Sequence, residues 1–106
     1  MMKYYKKYSD YLSTLSDEKL YYATKEYEAL CIIRPVIKDN LFDTLREILA
    51  KRNELIPNEK IGINSTGFTK IIKDVNAEIC VRFRKRMEES EDIKPFDIGK
   101  YIALGE

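Results

Sequence analysis

Apolar side chains recur along this chain at spacings of three and four, the period of a helix with one buried face. Tyr4 or Tyr5, Tyr8, Tyr11 or Leu12, and Leu15 make the first stripe, with Lys3, Lys6, Lys7 and Asp10 between them. Ser16 reads as the cap of a second helix, because Asp17 and Glu18 fill its first turn, where carboxylates favour the positive end of the helix dipole. Leu15 and Leu20 have the spacing of a hydrophobic staple across that cap. Leu20, Ala23, Tyr27, Leu30 and Cys31 form the inner face of the second helix, which runs up to Arg34 and Pro35. Proline ends or kinks a helix, since it lacks the backbone donor and its ring clashes with the preceding turn. The stripe resumes through Ile37, Leu41, Leu45, Ile48 and Leu49, so two helices and one kinked helix both satisfy the pattern.

Residues 56–64 carry the Pro, Asn and Gly of a connection. A long helix follows, capped by Asn64 or Ser65, with Phe68, Ile71, Ile72, Val75, Ile79, Phe83 and Met87 along one face and an acidic end at residues 88–92. Residues 93–106 fit a short strand, on the shared parity of Ile98, Lys100, Ile102 and Leu104, or a last helical turn capped by Asp97. The expected fold is therefore all-α, or mainly α: a small helical bundle of three to four helices in one domain, 1–106, with a short C-terminal strand or helical turn. The chain has no internal repeat.

Composition agrees with that pattern. A chain of 106 residues with 44% hydrophobic and 35% charged positions, and only four Gly and three Pro, has the makings of one helical core and argues against disorder throughout. Nineteen basic and eighteen acidic side chains leave a net charge of +1, so attraction to nucleic acid or anionic lipid needs a local patch. No apolar run reaches membrane-helix length, and the basic start Met-Met-Lys-Tyr-Tyr-Lys-Lys lacks the apolar segment of a secretory signal, which points to a cytoplasmic protein without a membrane partner. Cys31 and Cys80 sit among Ile, Leu and Val and are expected as buried, reduced thiols.

The chain has no histidine, which removes the usual general base at neutral pH and the commonest transition-metal ligand. Glycines at 62, 67, 99 and 105 have no phosphate-loop spacing, and two isolated cysteines make neither a zinc site nor a Cys-His nucleophile. Asp39, Asp43 and Glu47, spaced by four, could hold a divalent ion on one helical face, or form a solvated face with Arg46 and Lys51 nearby. The expectation is a non-enzyme with no cofactor, no metal and no small-molecule substrate.

Tyrosine is the least average feature: seven of eight fall within the first 27 residues. Tyr4, Tyr5, Tyr8 and Tyr11 cover more than one face of a short helix, and Tyr21 and Tyr22 cannot both point inward. Tyrosine is favoured at binding hot spots, so these six mark a protein interface or self-association surface; a Tyr-rich core layer is the alternative. Stacking on single-stranded nucleic acid beside Lys3, Lys6 and Lys7 is a third reading.

Residues 61–73, Ile-Gly-Ile-Asn-Ser-Thr-Gly-Phe-Thr-Lys-Ile-Ile-Lys, resemble the turn and recognition helix of helix-turn-helix DNA-binding proteins. The resemblance implies that Asn64, Ser65, Thr66, Thr69, Lys70 and Lys73 face DNA while Ile63, Phe68, Ile71 and Ile72 pack inward. Pro57 and Gly67 depart from the family's pattern, and an ordinary capped helix after a loop fits the same residues. Arg82, Arg84, Lys85 and Arg86 could add phosphate contacts, or pair with Glu78, Glu88 and Glu89. The tail Phe96-Asp97-Ile98-Gly99-Lys100-Tyr101 is similar to the turn in histone-like HU and integration-host-factor proteins, though no basic arm follows it. Two functions are therefore expected in order: a non-catalytic regulatory, adaptor or structural protein, cellular or from a virus or mobile element, binding through its Tyr-rich N-terminal helices; and, as the alternative, a DNA-binding regulator using residues 61–73.

Overall fold

A computed structural model of the chain describes residues 2–33, 42–90 and 99. Among the described residues there are four α-helices and no strand: α1 (Met2–Thr14), α2 (Asp17–Ile33), α3 (Asp43–Leu55) and α4 (Ser65–Glu89), with a single 3₁₀ turn at Pro57–Glu59 before α4. The fold is a small all-α bundle. Arg34, Pro35 and Leu41, and the C-terminal stretch 93–106 except Gly99, lie outside the described residues, and with them the HU-like turn and the choice between strand and helical turn.

Each helix starts where its capping chemistry places it. The Ser16 hydroxyl accepts the Lys19 N–H at 3.0 Å, opening α2 at Asp17. Asn64 does the same for α4, its Oδ1 accepting the Gly67 N–H at 2.8 Å. The start of α3 is capped from outside its own segment, by the Glu26 carboxylate of α2, which accepts the N–H groups of Thr44 and Leu45 at 3.2 and 3.0 Å. Phe42, just before α3, has φ 136° and ψ 44°, a region that favours glycine. Its ring is buried against Phe68 at 5.8 Å, and that packing offsets the strain. Since Phe42 is not helical, α2 and α3 are two helices and not one kinked rod.

The core joins Tyr8 and Leu12 of α1, Leu20, Ala23 and Leu30 of α2, Phe42, Leu45, Ile48 and Leu49 at α3, Ile56, and Phe68, Ile71, Ile72 and Val75 of α4. Helix α2 lies antiparallel to α4: Asp17 at its start meets Arg82 and Arg86, and the Tyr27 hydroxyl lies 2.9 Å from Thr69 Oγ1 near the other end. The connection before α4 is held by a two-way bond, with Asn53 accepting from the Ile61 N–H and donating to its carbonyl at 2.8 and 2.9 Å. Gly67 then permits the loop to touch the helix, because a Cβ there would stand 2.0 Å from the Gly62 carbonyl oxygen.

Three expectations about burial are corrected. Cys31 and Cys80 are exposed free thiols. Tyr27 is already level with Thr69, one turn from the start of α4, so Cys31 lies a further turn out, and Cys80 falls on the outer side of its helix. Phe83 is 58% exposed, because the apolar stripe of α4 outruns the helices that cover it. Ile63 faces outward instead of inward, since the loop is anchored through Ile61 and not through its neighbour.

Candidate interaction surface

The N-terminal tyrosines divide into two groups. Tyr8 is 4% exposed and is not part of an open surface: its hydroxyl donates to Asp74 of α4 at 3.0 Å and its ring lies against the Arg52 guanidinium at 5.8 Å. Burial, with the neighbouring Asp74 carboxylate, pushes the Tyr8 hydroxyl far above its ordinary range, so it stays a donor at any physiological pH. Burial in turn raises the Asp74 carboxyl, against the opposing effects of the Tyr8 hydrogen bond and Arg52. Tyr11 is half-buried beneath Lys51, and burial raises its hydroxyl too. Tyr5 is partly exposed, yet its hydroxyl donates to the carboxylate of Glu59, the last residue of the 3₁₀ turn, and the Glu59 carbonyl in turn accepts Arg52 Nη1 at 2.8 Å. These three rings fasten α1 to the rest of the bundle, because carboxylates and cations on α3, α4 and the turn meet their hydroxyls and faces. The Tyr4 side chain lies outside the described residues.

Tyr21 and Tyr22 form the second group. They are 56% and 50% exposed, and their rings meet tilted at 5.7 Å on the outer ridge of α2. Tyr21 also forms one wall of a groove of about 430 Å³ between α2 and α4. Phe83 faces it from α4, Leu20 and Ile79 line it between them, and Asp17, Arg82 and Arg86 close one end. Sequence pattern alone missed this site, since Phe83 continues a stripe that reads as core. The signal that could have found it is on the same helix: after Ile79 the core-facing positions become Arg82 and Arg86, which marks where the apolar interior stops.

The basic cluster of α4 is split in the same way. Arg82 donates to Glu78 and Asp17, both at 2.8 Å, and to the carbonyls of Leu12, Ser13 and Leu15, so it clasps the turn between α1 and α2 and is not open to phosphate. Arg86 donates to the same Asp17 carboxylate, and the hydrogen bond from Arg82 heads the causes that hold Asp17 below the ordinary carboxylate range. Arg84, Lys85, Lys70 and Lys73 are exposed, with no carboxylate at ion-pair distance among the described residues. Of the helix-turn-helix candidates, Asn64 is spent as a cap and Thr69 bonds Ser65 O and Tyr27, whereas Ser65 and Thr66 are exposed.

Asp39 lies outside the described residues, Asp43 is exposed, and Glu47 pairs with Lys19 at 2.8 Å. Among the described residues no three His, Cys, Asp or Glu side chains come together as a metal site would need, and no helix is long and apolar enough to cross a membrane. No protein-family model, curated protein or solved structure matches the chain.

Proposed function

We propose that this chain is a non-catalytic helical interaction protein, acting in the cytoplasm as a regulator, adaptor or structural subunit, that binds a protein through the Tyr21–Tyr22 face of α2. The observation that carries this reading is the half-exposure of two adjacent tyrosines whose hydroxyls, unlike those of Tyr5 and Tyr8, have no bonding partner among the described residues. Tyrosine offers large contact area at low entropic cost, and a contiguous aromatic patch left open in a monomer is the usual mark of a partner surface. Tyr5, Tyr8 and Tyr11, needed inside the fold, are left out of this surface.

The test compares the full chain with the Tyr21→Ala/Tyr22→Ala double variant in affinity capture from its native host, with light scattering after size exclusion to score self-association. A protein partner, or a dimer, that is lost in the double variant while the melting temperature holds is the expected result. Capture unchanged by the double substitution would refute the reading.

A second reading has one observation in its favour: Lys70, Lys73, Arg84 and Lys85 are exposed on α4 with no ion-pair partner among the described residues. A DNA-binding regulator would use them for phosphate contacts, with Ser65 and Thr66 nearest the bases. It requires duplex binding that weakens steeply with salt and is lost in Lys70→Ala/Lys73→Ala.

A further inference from the structure

Resting on the reading that the Tyr21–Tyr22 face binds protein, we propose that its partner is a second copy of this chain, docked antiparallel along α2 about the midpoint of the tyrosine pair. Among the described residues α2 is flanked on two sides. Lys19 and Glu26 reach α3, at the Glu47 carboxylate and at the N–H groups of Thr44 and Leu45, and Asp17 reaches α4 at Arg82. At about 100° per residue, the sector of α2 turned away from both holds Glu18, Tyr21, Tyr22, Lys25, Ala29 and Ile32. Tyr21, Tyr22 and Ile32 are each half exposed or more, so this ridge presents open apolar surface at both ends.

The charges on the ridge itself select the occupant. Glu18 and Lys25 lie within about 10° of its midline, one just before the tyrosine pair and one just after, and Tyr21 and Tyr22 flank that line by about 50° on opposite sides. An acid, two tyrosines and a base in this order are complementary to their own reverse. A two-fold axis lying across the ridge between Tyr21 and Tyr22 sets Glu18 opposite Lys25 of the second copy, and Lys25 opposite the second copy's Glu18. Tyr21 then packs beside Tyr21 of the second copy, and Tyr22 beside Tyr22. Other alignments conflict. A parallel pair opposes Glu18 to Glu18 and Lys25 to Lys25, and an antiparallel pair slid to overlap the whole of α2 centres on Lys25 against its own copy. A uniformly acidic or basic partner loses at one of the two charges what it gains at the other. Glu18 is exposed with no ion-pair partner among the described residues, and Lys25 meets Glu28 at 2.9 Å in a surface pair that is weak enough to share. The overlap is about ten residues, or about 15 Å, which is short of the roughly 800 Å² a side of a standard interface, so the dimer is concentration-dependent.

The test is sedimentation equilibrium of the full chain at low salt, from about 10 μM to about 1 mM. The expected result is a monomer–dimer equilibrium that Tyr21→Ala/Tyr22→Ala weakens about tenfold or more. Glu18→Lys and Lys25→Glu should each weaken it about fivefold, since each sets like charges opposite one another at both ends of the contact. The double variant Glu18→Lys/Lys25→Glu restores it, because the two attractions return with their signs exchanged, and that recovery separates the ion pairs from any loss of fold in the single variants. A dimer that the tyrosine substitutions dissolve but Glu18→Lys leaves unchanged, or that the double variant does not recover, overturns the antiparallel alignment. A dimer indifferent to Tyr21→Ala/Tyr22→Ala overturns the ridge as its interface. A chain that stays monomeric to about 1 mM overturns the second copy as partner; if a protein captured from the host is still lost in the tyrosine double variant, the protein-binding reading survives without it.

Discussion

Asp74 and Asp17 are both carboxylates of this fold, and their surroundings push them in opposite directions. Asp74, partly desolvated between Tyr8 and Arg52, is raised above its unfolded value, so the folded state holds the proton more tightly and gains stability as pH falls through the raised value towards the unfolded one. Asp17, gripped by Arg82 and Arg86, is lowered, so its contribution is present above the unfolded value and is lost as pH falls through the folded one. Asp74→Asn is therefore expected to remove a gain in melting temperature on mild acidification, and Asp17→Asn to remove a loss at lower pH. Thermal melts by circular dichroism across the acid range check both signs, and identical profiles for the two variants would contradict the assignment. Arg82 is the other residue on which much depends. Its guanidinium satisfies two carboxylates and three carbonyls at the α1–α2 turn, and Arg82→Ala is expected to cost about 2 kcal/mol in urea unfolding, against near zero for the exposed Arg84→Ala.

Among the elements, caps and stripes were legible in the sequence wherever the chemistry is local. Ser16 with Asp17 and Glu18, and Asn64 before a β-branched and apolar run, announce α2 and α4 because each cap bonds a backbone N–H three residues on. The cap of α3 was not legible, since Glu26 reaches it from another helix and no spacing rule connects positions 26 and 44. Gly67 reads from sequence as a weak point in a helix, where alanine would normally stabilise by about 1 kcal/mol. The fold reverses that sign, because the Gly62 carbonyl occupies the place of a Cβ. Gly67→Ala is expected to destabilise by about 1–3 kcal/mol in denaturant unfolding, and a stabilised variant would show that the loop does not pack on α4 as described.

At the scale of the whole molecule, the stripe pattern predicts an all-α bundle because each stripe needs a facing neighbour, and it identifies most of the buried residues. It does not say how far one helix extends past another. That stagger turns Phe83 from a core residue into a groove wall, leaves Cys31 level with the very start of α4, and assigns Tyr8 to the interior while Tyr21 and Tyr22 stay outside. The same stagger separates stability from recognition. Tyr8→Ala is expected to cost about 3 kcal/mol or more by opening a cavity and orphaning Asp74, whereas Tyr21→Ala and Tyr22→Ala should shift unfolding by less than about 0.5 kcal/mol.

The central claim is that the outer ridge of α2, and not α1 or the basic side of α4, is where this protein meets a partner. The most direct measurement is photo-cross-linking in the native host, with benzoylphenylalanine placed singly at positions 5, 22 and 70 of the full chain. The account predicts a discrete protein adduct from position 22 and no comparable adduct from positions 5 or 70. An adduct of equal yield from all three positions, or one only from position 70 that nuclease treatment abolishes, would contradict it.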